Sequence, residues 1–317
     1  MRTQLDSYPS PSFEIVHLTK TYAQKKVINN FSFSLNPGEV LGIIGPSGAG
    51  KSTLLKLAAG LIQPCVGYGR ICGFDLQDQV IQARRNIGYL SEGSVGFEDM
   101  SLISFLKLIT CIRGIRGASQ RIRIDAVVGQ LQLEHLLHLP LGALTYGENR
   151  MVGLAQAVVH DPAVLILDEP SEGMDPNQQA IFRSMIEIYS SNSIVIIATR
   201  LLDDVTAICS RAMIISNGRL CADGTLQKLK CLSRYYQSVT ISTVQPLDVL
   251  ALAVLPGVAG IETSSLTTGA VTILAKPGYE IFPSVLGLIV ERRWQVRSLS
   301  VDGGRLDDVF KKLTKSC

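Results

Sequence analysis

The chain has 317 residues, 46% of them apolar and 18% charged, enough to bury a sizeable core in one medium domain plus a small one. A formal net charge of +3, with basic residues nowhere gathered into runs, argues against a nucleic-acid partner. No stretch reaches the ~18–20 uninterrupted apolar residues of a membrane span; the longest candidates, residues 247–258 and 282–290, are short and contain Asp or Pro.

Residues 1–12 have no apolar h-region, so they read as a short disordered lead rather than a signal peptide, and the expected location is cytoplasmic. Alternation over FEIVHL and VINNFSFSL predicts two strands between residues 13 and 35, followed by a turn at Asn36-Pro37-Gly38. EVLGIIG is a continuous apolar run, the mark of a buried central strand, and it leads through GPSGAGKST into the helical pattern LLKLAAGL. From about Arg84 to Leu139 the pattern is helical, with SLISFLKLITCIRGI and DAVVGQLQLEHLLHL as the clearest runs. Another helix, ENRMVGLAQAVVH, ends at Asp161-Pro162. AVLILDEP and SIVIIAT read as buried strands separated by the helix NQQAIFRSMIEIYS, and RAMIISNGRLCADG as a hairpin turning at Asn217-Gly218. This alternation predicts a mostly parallel sheet flanked by helices.

The character changes near residues 228–236. SVTIST, PLDVLALAVL, AGIETSS, AVTILA, EIFPSVLGLIVERR and VRSLSVD follow in β-α-β-β-α-β order, a ferredoxin-like split motif closed by the helix LDDVFKKL. The expected domains are therefore residues 13–236, with a helical subdomain near 90–160, and a small α+β domain at 237–317. The seven cysteines include no CxxC pair and suit small buried hydrophobes in a reducing compartment. His135 and His138 lack the further ligands a metal needs and read as a polar patch.

Gly45, Pro46, Ser47, Gly48, Ala49, Gly50, Lys51 and Ser52 satisfy G-x-x-x-x-G-K-[ST], with Thr53 on the first helical turn. Backbone N–H groups must wrap anionic phosphates here, and side chains at Gly48 and Gly50 would obstruct them. Lys51 is placed to reach β- and γ-phosphates, Ser52 to ligate Mg²⁺, and the helix N-terminus adds favourable dipole charge. AVLILDEP supplies Asp168 to anchor Mg²⁺ and Glu169 to polarise the attacking water, since phosphoryl transfer needs positioned charge above all.

Between these motifs lies LTYGENRMVGLAQAVVHDP. Together they resemble the ATPase subunits of ABC transporters over residues 13–230: phosphate loop, signature, acidic strand, SEGMD and a switch segment, in that order. The run GLAQAVVHDPAVLILDEPSEGMDPNQ is most similar to exporter-type subunits associated with gliding motility, from which a gliding function does not follow. The resemblance implies a P-loop NTPase ABC cassette, a mixed sheet with a helical subdomain, followed by the ferredoxin-like α+β domain. It implies a separate transmembrane permease, a homo- or heterodimer with a second ABC ATPase, a peripheral position on the membrane, ATP and Mg²⁺ as ligands, and no nucleic acid.

The family's roles carry over unevenly. Tyr22 falls where an aromatic residue stacks on adenine; packing on its own domain is the alternative. LTYGE stands in place of LSGGQ, with Thr145 and Gly147 expected to face the partner's γ-phosphate, while Tyr146 and Glu148 depart from the pattern. Glu92 occupies the position of a glutamine that contacts Mg²⁺ and the permease; ionised, it only accepts hydrogen bonds. Arg200 stands where the switch histidine is expected, and a guanidinium offers donors only. Loss of a positioned acid–base group costs about 10²–10⁴-fold in rate, so the expectation is intact ATP binding with turnover that is slow or rescued by a partner chain; the alternative is that arginine does the histidine's job here. The alternative function is a catalytically impaired regulatory subunit paired with an active homologue. The C-terminal domain would serve dimerisation, ligand sensing or packing.

Overall fold

A computed structural model describes residues 12–93, 96–263 and 270–316; the lead expected at residues 1–12 lies outside them but for Ser12. The chain forms two compact units, the first ending at Asp223 and the second running Gly224–Ser316. The break precedes the one expected at 236–237, because the helix Leu226–Lys230 packs on the helix Leu306–Ser316 and so belongs to the second unit.

The first unit opens with antiparallel β1 (Phe13–Tyr22) and β2 (Lys25–Leu35). All five residues of β3 (Val40–Ile44) are buried, as a strand covered on both faces requires. The chain passes through residues 45–50 into α1 (Lys51–Ala58), then returns as β4 (Val66–Ile71) and β5 (Phe74–Asp75), which extend the first pair to a sheet of order β2-β1-β4-β5. After α2 (Val80–Arg85) and β6 (Ile87–Leu90) comes the helical part: α3 (Leu102–Ile112), α4 (Gly117–Gln130) and α5 (Tyr146–Val158). The helix expected across 125–139 stops at Gln130, because Gln132 turns to a φ of 55° and the chain continues in single 3₁₀ turns at Glu134–Leu136 and Leu141–Ala143. There follow β7 (Val164–Asp168), α6 (Pro176–Ser190), β8 (Ile194–Thr199), α7 (Leu202–Ile208), β9 (Arg211–Ser216) and β10 (Arg219–Thr225).

The second sheet has order β10-β9-β3-β8-β7-β6. Its β9, β3, β8, β7 and β6 are parallel neighbours, and registers such as Ile44 opposite Thr199 and Leu167 opposite Leu90 level their carboxyl ends. Asn217 and Gly218, both at positive φ, make the expected two-residue turn into β10.

The second unit contains α8 (Leu226–Lys230), β11 (Tyr236–Thr243), α9 (Val249–Ala253), β12 (Val258–Thr263), β13 (Ala270–Ala275), α10 (Phe282–Glu291), β14 (Val296–Gly303) and α11 (Leu306–Ser316). Its sheet order, β12-β13-β11-β14 with antiparallel neighbours, is the ferredoxin-like one. Val239, Ile241 and Ile273 pack beneath Leu252, Val285 and Ile289. Ser264 and Ser265, expected to end β12, lie outside the described residues.

Candidate functional site

The levelled carboxyl ends of four parallel strands place the predicted groups together. Beyond β3 lies the glycine loop, beyond β6 Glu92, at the end of β7 Asp168 and Glu169, and beyond β8 Arg200. Open α/β sheets bind ligands at this edge. A cavity of about 230 Å³ is bounded by Val27, Ser47, Gly48, Ala49, Gly50, Lys51, Ser52, Thr53, Glu92, Glu169 and Arg200. Gly50 caps α1 with φ 104°, and a β-carbon there would stand 2.7 Å from the Val27 carbonyl oxygen, so only glycine fits. Gly45 is buried and Pro46 exposed; both pass their carbonyls to Lys51 rather than lining the cavity.

Lys51 Nζ donates to the Gly45 carbonyl at 2.8 Å and the Pro46 carbonyl at 3.3 Å, and lies 3.7 Å from Glu169 Oε1. Burial lowers its pKa, Glu169 pulls it back, and Arg200 lowers it further. Asp168 is 1% exposed, and neither carboxylate oxygen completes a hydrogen bond with a protein group. Burial raises its pKa; the Ser52 hydroxyl nearby counters this without reaching full bonding geometry, and Glu92 and Glu169 push it higher. A buried carboxylate with two unmet acceptors beside a hydroxyl and a second acid suits a hard divalent cation. Ser52, Asp168 and Glu92 are the residues that would hold it.

Glu169 has a φ of 44°, a strained backbone of the kind stored at functional sites. Its N–H donates to the Ala198 carbonyl at 2.8 Å. The switch arginine grips its carboxylate twice: the Arg200 backbone N–H donates to Oε2 at 3.1 Å and Nε to Oε1 at 3.2 Å. Arg200 Nη2 also donates to Glu172 Oε1 at 3.1 Å. Glu172 belongs to SEGMD, whose Asp175 caps α6 through a capping box with Gln178. Buried Asp204 on α7 accepts from the Ser171 hydroxyl and from Arg183, tying the same loop to the switch segment.

The signature lies apart from this cavity. Thr145 caps α5: the Glu148 N–H donates to its hydroxyl at 3.3 Å, and the Thr145 N–H donates to Glu148 Oε2 at 2.7 Å. Glu148 is thus the reciprocal member of a capping box. Gly147 is buried, and a β-carbon there would meet the Gln178 side chain and stand 2.8 Å from the Gly173 carbonyl oxygen. Tyr146 lies against Gly173, so signature and SEGMD pack on each other. Tyr22 is 47% exposed at the end of β1 and does not line the cavity; Lys20 Nζ lies 5.2 Å from its ring centroid.

Two groups escaped the sequence reading. Glu172 holds Arg200. Arg150, 1% exposed, bonds four backbone carbonyls around the site. A charged residue on the face that also carries Gly147, Met151 and Leu154 was the available signal for Arg150.

A glycine loop between a central strand and a helix, with an acid ending a strand two places away, defines a P-loop cassette. A family model described as "ABC transporter" matches residues 28–172. The Bacillus subtilis (strain 168) "Uncharacterized ABC transporter ATP-binding protein YxlF" is 32% identical over 216 residues, spanning 68% of this chain and 72% of that one. A "Nod factor export ATP-binding protein I" of Burkholderia orbicola (strain AU 1054) is 30% identical over 209 residues, spanning 66% and 69%. The solved "Structure of ATP binding subunit of ABC transporter" superposes with a TM-score of 0.65 at 28% identity, over 69% of this chain and 91% of that one. The chain belongs to the ABC transporter family as an ATP-binding subunit.

Proposed function

We propose that this chain binds and hydrolyses Mg·ATP to drive an exporter whose membrane-spanning subunits are separate chains. The observation that carries the reading is the pairing of Asp168, buried with two unmet acceptor oxygens, with the glycine loop and Lys51. ATP lies with its phosphates in residues 45–53, where Lys51 exchanges the Gly45 and Pro46 carbonyls for phosphate oxygens. A bound magnesium, held by Ser52, Asp168 and Glu92, would supply Lewis-acid charge to the β- and γ-phosphates. Glu169 orients water and accepts its proton as the water oxygen attacks the γ-phosphorus and the bond to the β-phosphate breaks.

Thr145 and Gly147 act in trans. The N-terminus of α5, with Thr145 exposed, is an anion-binding end that faces a γ-phosphate held by a second cassette, identical or homologous. Tyr22, exposed at the end of β1, is the stacking platform for adenine. Closure on ATP follows from tighter ATP binding by the closed dimer than by the open one.

No helix among the described residues is long and apolar enough to cross a membrane. A groove of about 800 Å³ bears Leu61, Ile81, Ile109 and Ile112 beside Arg84, Arg85 and Arg113, and suits a permease helix docking at the cytoplasmic face. Export as the direction rests on relatives named for it, such as the Nod factor export protein.

Calorimetry tests the core of the reading: the wild type takes up Mg·ATP and Lys51→Ala does not. Equal uptake by both sinks it. The grip of Arg200 on Glu169 favours a second reading, a regulatory subunit that binds ATP without turning it over; hydrolysis no faster than in Glu169→Gln selects that one.

A further inference from the structure

One side chain outside the motifs ties three of them together. Arg150 lies on α5, five residues beyond the cap Thr145, and is among the largest fully buried side chains. Its Nη1 donates to the carbonyls of Ser91 at 2.6 Å and Gly93 at 3.0 Å, the residues on either side of Glu92. Its Nη2 donates to the carbonyls of Asp168 at 2.7 Å and Glu169 at 2.9 Å. The Nε is buried with no partner.

Successive carbonyls converge on one nitrogen only where the backbone turns sharply, and the φ of 44° at Glu169 is that turn. Such a conformation persists only where its surroundings over-determine it. Arg150 from one side, and the Ala198 carbonyl accepting the Glu169 N–H from the other, supply that constraint. The same guanidinium holds both ends of the segment carrying Glu92. Burying a guanidinium costs desolvation, here against carbonyls and without a bonded carboxylate. The neighbours Met151 and Leu154 fill the core without that cost.

We propose that Arg150 is a positioning residue for hydrolysis: it sets Glu169 and Glu92 relative to the phosphate loop and couples both to the signature end of α5. Movement of α5 when a partner nucleotide engages Thr145 and Gly147 then reaches the water-activating carboxylate through one rigid side chain. The inference rests on the hydrolytic reading above.

The test uses the full chain with Arg150→Met and Arg150→Lys, measuring ATP affinity by calorimetry without magnesium, where Glu92 has no cation to hold, and single-turnover hydrolysis of Mg·ATP with enzyme in excess. Arg150 does not line the cavity, so affinity should stay within about threefold, while the rate of Arg150→Met falls about 10–100-fold, as for lost outer-shell support. Arg150→Lys, which keeps some of the carbonyl contacts, should lie between. A merely structural arginine would lower affinity and rate together, and that pattern overturns the proposal, as does a wild-type rate in Arg150→Met. Should the Met variant not fold, Arg150→Lys decides: wild-type rate at an unchanged Tm overturns it. Wild-type hydrolysis no faster than Glu169→Gln removes the hydrolytic reading and this proposal with it; an active wild type with an unaffected Arg150→Met removes this proposal alone.

Discussion

Replacing Arg200 by histidine removes the side chain that holds Glu169 and Glu172 together. The Nε bond to Glu169 Oε1 (3.2 Å) and the Nη2 bond to Glu172 (3.1 Å) are lost, while the backbone N–H bond from residue 200 to Glu169 Oε2 (3.1 Å) survives. Shielded hydrogen bonds to charged groups contribute about 1.5–3 kcal/mol each. The Arg200 side chain is 47% exposed, so solvent screening brings the two together to about 1–2 kcal/mol. That is the cost of moving Arg200 away before Glu169 can serve water, a factor of about 5–30 in rate. A neutral imidazole at this position also restores a group able to donate and accept. Single-turnover hydrolysis at saturating Mg·ATP should therefore be at least about fivefold faster in Arg200→His. Glu172→Ala, which cuts one of the two anchors, should give a smaller gain, and the double variant no more than Arg200→His alone, since both act on one restraint. An Arg200→His rate equal to or below that of a clearly active wild type would falsify this account of the switch.

Asp168→Asn should abolish Mg²⁺-dependent hydrolysis yet raise the melting temperature of the ligand-free chain at neutral pH. Its raised folded pKa means that stability falls as pH climbs from 3.8 through that value, and the amide removes the loss. His160, half-buried with Nε2 on the Ile87 carbonyl at 3.0 Å and Nδ1 unpartnered, has its pKa lowered from 6.5 to about 4 by desolvation and by Arg113. The unfolded chain binds the proton first, so stability should rise with pH across that window by on the order of 3 kcal/mol, and His160→Gln should flatten the denaturation midpoints there. Gly147→Ala should destabilise the signature by roughly 1–3 kcal/mol through overpacking against Gln178 and Gly173, visible as a lower melting temperature and weakened ATP-dependent dimerisation. An unchanged melting curve would remove the packing argument.

The strands that build the site were legible because each is buried on both faces and so spells an unbroken apolar run: VLGII, VLILD and IVIIAT. The second unit was readable for another reason, since its short elements alternate with clear turn residues and yield the ferredoxin-like order directly. The strand β4 was not legible. VGYGRI is interrupted by Gly67 and Gly69, and it is a strand because β1 supplies its hydrogen bonds across the sheet, information that lies some fifty residues away in the chain. The overlong helix at 125–139 has the opposite cause: apolar spacing continues through LQLEHLL, but the turn at Gln132 and the 3₁₀ segments after it satisfy the same burial without a helix.

The departures from the family pattern look independent in the sequence and are coupled in the fold. Glu148 answers Thr145 in a capping box, so the acid in LTYGE serves the helix end that an anion would approach. Tyr146 finds room because SEGMD has glycine at 173, where any β-carbon would collide with the ring. Arg200 brings a permanent positive charge where a neutral ring is expected, and Glu172 and Glu92 bring negative charge to the same neighbourhood. Glu172 shares the Arg200 guanidinium with Glu169 and so adds a second anchor to the restraint that holds it at the rim of the cavity. Arg200, Glu172 and Glu92 therefore set the charge along one rim of the cavity together, and testing any of them singly measures the relation among all three.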